Sequence, residues 1–268
     1  MRLNFIFKRL LNKNPATTQI VNMKVNILNV WIDNLTMEEA LKKCEHFIAN
    51  KEPCYLGNPN VDVTVQINKN IWFENYYRKA ALTLVDGVPI MWAARLLGKP
   101  LKEKISGSDL VPEFCRMSHK KGYKLFFLGG RPGAARLSRK IMLTKFPNVN
   151  IVGTYSPPYG FERDEKENTK IVKMIKDASP DILFVGLGVP KQEKWIEKYY
   201  QELKVPMSMG VGVTFEYLSG MVKRAPRSMQ KNGLEWFFRL IKEPRRLWKR
   251  YLINDMIFFW LLFKQIIK

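Results

Sequence analysis

The chain has 268 residues, 46% hydrophobic and 12% aromatic, enough to bury the core of one or two domains without covalent staples. No run approaches the ~20 uninterrupted apolar residues of a spanning helix. Three widely spaced cysteines (Cys44, Cys54, Cys115) exclude a disulfide scaffold or a cysteine-rich zinc module, and free thiols are expected. The net charge of +21 sits mostly at the ends: residues 221–268 hold twelve Lys and Arg against three acids, and residues 1–24 hold five basic residues and no acid. Such asymmetry points to a polyanion, whether nucleic acid, anionic lipid or a phosphorylated substrate. Residues 1–24 lack the long apolar stretch and cleavage site of a secretion signal; they read as a basic, weakly structured leader that touches membrane.

From residue 25 short β-rich runs alternate with helical patterns. Val25–Ile32 reads as a strand, and Thr36-Met-Glu-Glu39 as a capping box opening a helix. Pro53–Gly57 is a second strand, followed by a helical pattern from about Pro59 to Ala80. Ala81–Val85 is an apolar strand ending at Asp86-Gly87, then Val88–Leu97 is helical. Ser106-Gly-Ser-Asp109 caps a helix that stops near Gly122. Lys124–Leu128 is a strand turning through Gly129-Gly-Arg-Pro-Gly133 into a helix. Val149–Tyr155 is a strand, 164–178 a polar helix, Asp181–Val185 a buried strand, and Gly186-Leu-Gly-Val-Pro190 opens another helix. Met207–Val213 is the last strand. The alternation predicts an α/β, Rossmann-like parallel sheet with helices on both faces over residues 25–220. After Gly220 the strands stop, and a basic, aromatic, helical appendage over 221–268 follows.

Ligands of such sheets bind at the carboxyl ends of the strands. Asp86 there would face the crevice, and partial burial would raise its pKa toward general-base work; a plain Asp-Gly turn fits the same position equally. Gly129 and Gly130 start a turn whose amides could cradle phosphate at a helix start, with an ordinary tight turn as the competing reading. Lys191 and Gln192, in the first turn after Gly186–Pro190, could reach a sugar or diphosphate, whereas Glu193 suits the helix dipole better than catalysis. No zinc spacing, G-x-S-x-G elbow, D-x-D pair or Walker A motif is present, so neither metal nor cofactor is expected.

These residues, taken in order, resemble the WecG/TagA/CpsF family of bacterial glycosyltransferases. The matching motifs are Asn58-Pro-Asn60, Leu84-Val-Asp-Gly-Val-Pro89, Ile105-Ser-Gly-Ser-Asp-Leu110, Leu125-Phe-Phe-Leu-Gly-Gly130, Gly186-Leu-Gly-Val-Pro-Lys-Gln-Glu193, Val222-Lys-Arg-Ala-Pro-Arg227, Gly233-Leu-Glu-Trp236, Arg239-Leu240 and Glu243-Pro-Arg-Arg246. The resemblance covers roughly 25–252 and leaves 253–268 outside. It implies inverting, metal-independent transfer of a hexose or N-acetylhexosamine, such as N-acetylmannosamine, from a UDP-sugar to a polyprenyl-diphosphate-linked sugar. It also implies an appendage that closes over the active site. The family's catalytic Asp falls on Asp86, its motif Gln on Gln192, and a polar residue after the second strand near Asn58 or Asn60. With no metal, arginines would neutralise the leaving UDP, and Arg224, Arg227, Arg239, Arg245 and Arg246 are the candidates.

A non-catalytic basic module for membrane or nucleic acid is the alternative, since the tail interleaves aromatics with Arg and Lys; it leaves a crevice with Asp86 and Gln192 unexplained. A nicotinamide enzyme lacks its fingerprint here. The implied partners are thus the UDP-sugar, the lipid-linked acceptor and an anionic membrane surface rather than nucleic acid, with a homo-oligomer left open. The expected location is cytoplasmic, peripheral on the inner face of the bacterial cell membrane. Residues 251–267, with the apolar run Met256–Phe263, are expected to lie on that membrane. Packing of this run against the core or a second subunit is the competing reading.

Overall fold

The computed structural model describes residues 24–267, so all but the last residue of the basic leader lies outside the described part. β1 (Lys24–Ile27) and β2 (Val30–Asp33) form an antiparallel hairpin, where a single strand is predicted. The chain reverses at Leu28 and Asn29, both with positive φ, the backbone that two-residue hairpin turns require. Apolar residues on either side of that turn hide it from a periodicity argument. Asp33 accepts the Thr83 amide at 2.8 Å, fastening the hairpin to the main sheet.

The other elements follow in order. They are α1 (Met37–Asn50), β3 (Cys54–Gly57), α2 (Val61–Lys69), α3 (Ile71–Lys79), β4 (Leu82–Thr83), α4 (Val88–Leu96), α5 (Gly107–Lys121) and β5 (Lys124–Gly129). Next come α6 (Ala134–Lys145), β6 (Asn150–Tyr155), α7 (Glu165–Ala178), β7 (Ile182–Gly186), α8 (Lys191–Leu203) and β8 (Met207–Gly210). The C-terminal part holds α9 (Thr214–Leu218), α10 (Arg227–Lys231), α11 (Glu235–Lys242), α12 (Pro244–Lys249), one π-helical turn (Arg250–Asn254) and α13 (Met256–Ile266). The capping box at Thr36 and Glu39 forms as read. The single helix expected over 59–80 is two helices, because extended Asn70 caps the second by accepting the Trp72 amide.

Strands β3 to β8 make one parallel sheet in the order β4-β3-β8-β7-β5-β6, covered on both faces. Alternation assigns each strand residue to a face. Tyr55, Phe126, Leu128, Leu183 and Val185 pack with α2, α3, α7 and α8, while Leu56, Leu125, Phe127, Phe184 and Met209 pack with α1, α5 and α6. All three cysteines are free.

The segment after Gly220 lies against this core. Among the described residues no helix is long and apolar enough to cross a membrane. In α13 one face of the apolar run packs on the core, as the competing reading expects, and the other is exposed. Phe258 (1% exposed) and Leu262 (7%) join the α2/α3 side of the core, while Phe259 (51%), Trp260 (54%) and Phe263 (61%) stay in solvent. Gln265 also accepts the Leu28 amide at 2.9 Å, tying α13 to the β1–β2 turn. Phe258→Ala is expected to lower unfolding free energy by about 3–5 kcal/mol, and Phe259→Ala to change it by less than about 0.5 kcal/mol. Denaturant titration of both variants checks this.

Candidate active site

A cavity of about 910 Å³ opens at the carboxyl ends of β3, β4, β7 and β8 and is roofed by the C-terminal segment. It gathers seven of the residues singled out from sequence: Asn58, Asn60, Asp86, Gln192, Arg224, Arg239 and Arg246. The loops beneath are tied together by backbone bonds, Asp86 N–H to the Pro59 carbonyl at 3.1 Å and Ile105 N–H to the Val85 carbonyl at 2.9 Å.

Each side chain has a distinct state of engagement. Asn58 donates to the Leu84 and Ile105 carbonyls (3.0 and 2.8 Å) and accepts the Gly107 amide (2.7 Å), so both its N–H groups are spent on joining β3, the β4 loop and α5. Asn60 caps α2 by accepting the Val63 amide and also accepts from Arg250 at 3.4 Å. Gln192 accepts the Gly212 amide and donates to Glu193, each at 3.0 Å. A Cβ on Gly210 would lie 2.5 Å from the Gln192 amide nitrogen, so only glycine lets this side chain lie across the end of β8. Glu193, 3% exposed, is pushed up to about 7 by burial, opposed by the Gln192 hydrogen bond.

Asp86 is half-buried, and among the described residues no hydrogen bond engages its carboxylate. Burial raises its pKa to about 6; Lys104 opposes the rise, Glu235 and Asp109 add to it, and Arg224 opposes it. At Asp109 burial also pushes upward, but hydrogen bonds from Lys104 and Ser106 and the charge of Arg224 prevail and hold it at about 2. Arg224 is committed, with Nη1 2.8 Å from Asp109 and Nε 3.3 Å from Glu235. Arg239, largely buried among Tyr217, Tyr251 and Glu235, forms neither a hydrogen bond nor an ion pair among the described residues. Arg246 pairs with Glu243 at 2.6 Å.

Five candidates do not line this cavity. Gly129 and Gly130 serve packing: a Cβ on Gly129 would sit 2.5 Å from the Gly186 carbonyl oxygen. The Gly130 amide is spent on that carbonyl, and the next amide, of Arg131, donates to Glu216 at 3.0 Å. The anion at this turn is therefore a carboxylate of the chain itself. Lys191 turns away to Glu162 at 2.5 Å and over the Tyr159 ring. Arg227 is exposed at the start of α10, and Arg245 lines a neighbouring hollow with Arg131 and Lys223. Sequence reasoning missed Lys104, Asp62, Arg250 and Asp255, all in or beside the cavity wall. Asp62 lies two residues after Asn60 and Lys104 two before Ser106, so proximity to motifs was the available signal. Among the described residues no three His, Cys, Asp or Glu side chains converge as a metal shell.

Residues 25–268 match the model of the glycosyl transferase WecG/TagA/CpsF family, so the match runs on through the segment 253–268 that the motifs alone left outside. The chain is 33% identical over 208 residues to an N-acetylglucosaminyldiphosphoundecaprenol N-acetyl-beta-D-mannosaminyltransferase of Bacillus subtilis (strain 168), covering 78% of each chain. It is 29% identical over 226 residues to the Staphylococcus aureus (strain MW2) protein of the same name, covering 84% of this chain and 87% of that one.

The environment of Asp86 has a consequence for stability. An acid whose folded pKa is raised from 3.8 to about 6 binds its proton more tightly in the native state. Its ionisation therefore disfavours folding as pH rises through that window. Asp86→Asn is expected to gain stability relative to wild type between about pH 4 and 6 and to hold the gain above. Urea unfolding of both proteins from pH 4 to 8 measures it; a constant difference would contradict the raised pKa.

Proposed function

The chain belongs to the glycosyl transferase WecG/TagA/CpsF family, and from that premise we propose that it is an inverting UDP-sugar-dependent glycosyltransferase. It moves a hexose or N-acetylhexosamine, such as N-acetylmannosamine, onto a polyprenyl-diphosphate-linked sugar in surface polysaccharide or wall polymer synthesis. The relatives' names, which specify an N-acetylglucosaminyldiphosphoundecaprenol acceptor, support that substrate class. The observation that carries the reading is the pairing, in one cavity, of an acid poised near pH 6 with an uncommitted arginine, Asp86 and Arg239.

In this reading Asp86, ionised near neutral pH, takes the proton of the acceptor hydroxyl as its oxygen bonds to the anomeric carbon. The bond from that carbon to the UDP oxygen breaks on the opposite face, which inverts the centre. The leaving diphosphate needs positive charge, and Arg239 and Arg246 supply it. Arg224 acts differently: engaged by Asp109 and Glu235, it holds the C-terminal segment over the cavity. Gln192, its amide fixed at both ends, orients the strand-end loop.

The lipid-linked acceptor also requires a membrane surface, and we infer that the protein is peripheral on its cytoplasmic face. Support comes from the exposed apolar face of α13 and the exposed Lys242, Arg245 and Lys249 before it. Such cations contribute about 1 kcal/mol each near anionic lipid.

Asp86→Asn is expected to keep UDP binding and lower turnover ~10²–10⁴-fold, with wild-type turnover surviving EDTA. Turnover of the variant near the wild-type rate, or loss on chelation restored by manganese or magnesium, counts against the mechanism. For membrane attachment, removing 253–268 would also strip Phe258 and Leu262 from the core, so exposed positions are the informative ones. Replacing Phe259, Trp260 and Phe263 together by Ser is expected to weaken sedimentation with anionic vesicles while leaving UDP binding intact; unchanged sedimentation opposes the assignment.

A further inference from the structure

One wall of the cavity carries a polar cluster to which no role has yet been given. Asp62, in the first turn of α2, faces Arg250 of the π-helical turn, with Arg250 Nε 3.6 Å from Asp62 Oδ2. Asp255 completes it, only 8% exposed. All three line the cavity. Although Asp255 occupies the N-cap position of α13, its side chain makes no capping bond, and among the described residues its Oδ1 has no hydrogen-bond partner. Among the same residues Arg250 Nε lacks a hydrogen bond, since 3.6 Å is beyond bonding distance. Buried polar groups are normally satisfied, and a carboxylate left unbonded in a cavity wall calls for an external donor.

The neighbourhood indicates which ligand brings those donors. Leu252, Met256 and Phe259 line the same side of the cavity and are about half exposed, so the wall passes from charged to apolar over one turn of chain. A free sugar nucleotide has nothing to place on that apolar edge. A sugar attached to a lipid diphosphate has hydroxyls at one end and hydrocarbon at the other, matching both parts.

We propose that Asp62, Arg250 and Asp255 form the acceptor-sugar subsite, with the two carboxylates accepting hydrogen bonds from hydroxyls of the lipid-linked pyranose and Arg250 holding the pair together. The assignment rests on the proposed transfer to a lipid-linked sugar. Burial raises Asp255 to about 7, with Arg250 opposing and Asp62 adding, so this wall gains from a partner that supplies neutral donors rather than further negative charge. The nucleotide end of the donor, with its diphosphate, then belongs on the side of Arg239.

The full-length protein is assayed with a UDP-sugar that it transfers and a short-chain polyprenyl-diphosphate N-acetylglucosamine as acceptor. Asp255→Asn and Asp62→Asn are expected to raise KM for the acceptor by about tenfold or more, the worth of hydrogen bonds to a charged group. KM for the UDP-sugar should stay within about twofold. A latch that merely docks the C-terminal segment would raise both KM values together or lower kcat alone, and either result overturns the assignment. Wild-type protein supplies a test independent of variant folding. Acceptors lacking single hydroxyls should include at least one that loses about tenfold in kcat/KM, and a wild type indifferent to every deoxy acceptor overturns the subsite. Absence of wild-type transfer from every UDP-sugar to a lipid-linked acceptor would instead overturn the functional reading, and the subsite with it.

Discussion

The ion pair between Arg224 and Asp109, 2.8 Å apart, is the contact on which the rest of the cavity depends. Asp109 sits in the first turn of α5, within the core; Arg224 belongs to the segment that leaves it after Gly220. Breaking this pair would leave Asp109 to Lys104 and Arg224 to Glu235, each still paired but no longer bridged to the other part of the chain. The pair also determines the electrostatics around it. Asp109 is held ionised by Lys104, Ser106 and Arg224, and its negative charge then helps keep the proton on Asp86. Two neighbouring carboxylates, of which only Asp86 lines the cavity, are thus driven apart in pKa, one tied up as a structural anion and the other raised to about 6 with no hydrogen-bond partner among the described residues.

The same interaction divides the labour among the arginines. Sequence alone offers five of them as equivalent candidates for a diphosphate. The fold makes them unequal. Arg224 is consumed by the strut, Arg227 is exposed outside the cavity, and Arg245 faces the neighbouring hollow, leaving Arg239 with no hydrogen bond or ion pair among the described residues and Arg246 shared with Glu243. A guanidinium largely buried among tyrosines is costly without an anion. Arg239, a cation, and Asp255, a carboxylate with no donor to its Oδ1 among the described residues, make opposite demands on two walls of one cavity. The proposed substrate pair, carrying both phosphates and hydroxyls, would answer both.

What was legible in the sequence follows from the range of the forces involved. The Thr36–Glu39 capping box, the Ser106 cap, the Gly122 stop and the doubly buried Ile182–Gly186 strand are decided by neighbours a few residues away, and they form where local chemistry put them. Asp86 at a strand end was legible because parallel sheets present their ligands there. The hairpin turn at Leu28 and Asn29 was not, because its apolar flanks keep the pattern of one strand. Gly129 and Gly130 looked like a phosphate cradle on composition alone. Their amides and lack of Cβ are used instead by Gly186 and, one residue on, Glu216, partners 56 or more positions away that no local pattern reveals. In the sequence Asp255 merely precedes the apolar run Met256–Phe263, and only the return of α13 onto α2 makes it part of a wall.

The two-faced character of α13 bears on the proposed membrane attachment. A helix that only packed on the core would not leave Phe259, Trp260 and Phe263 in water, and one that only floated on lipid would not bury Phe258 and Leu262 beside α2. In the proposed attachment, a helix holding both faces would fix the distance between a bilayer and the cavity. The apolar edge at Met256 and Phe259 would then sit where hydrocarbon begins, and Asp255, one residue before it, where hydrocarbon ends. A lipid-linked sugar reaching Asp86 from that side would travel along the C-terminal segment itself, past the turn that carries Arg250. Closure of the cavity and delivery of the acceptor are in that case one structural event, because the same short stretch of chain performs both.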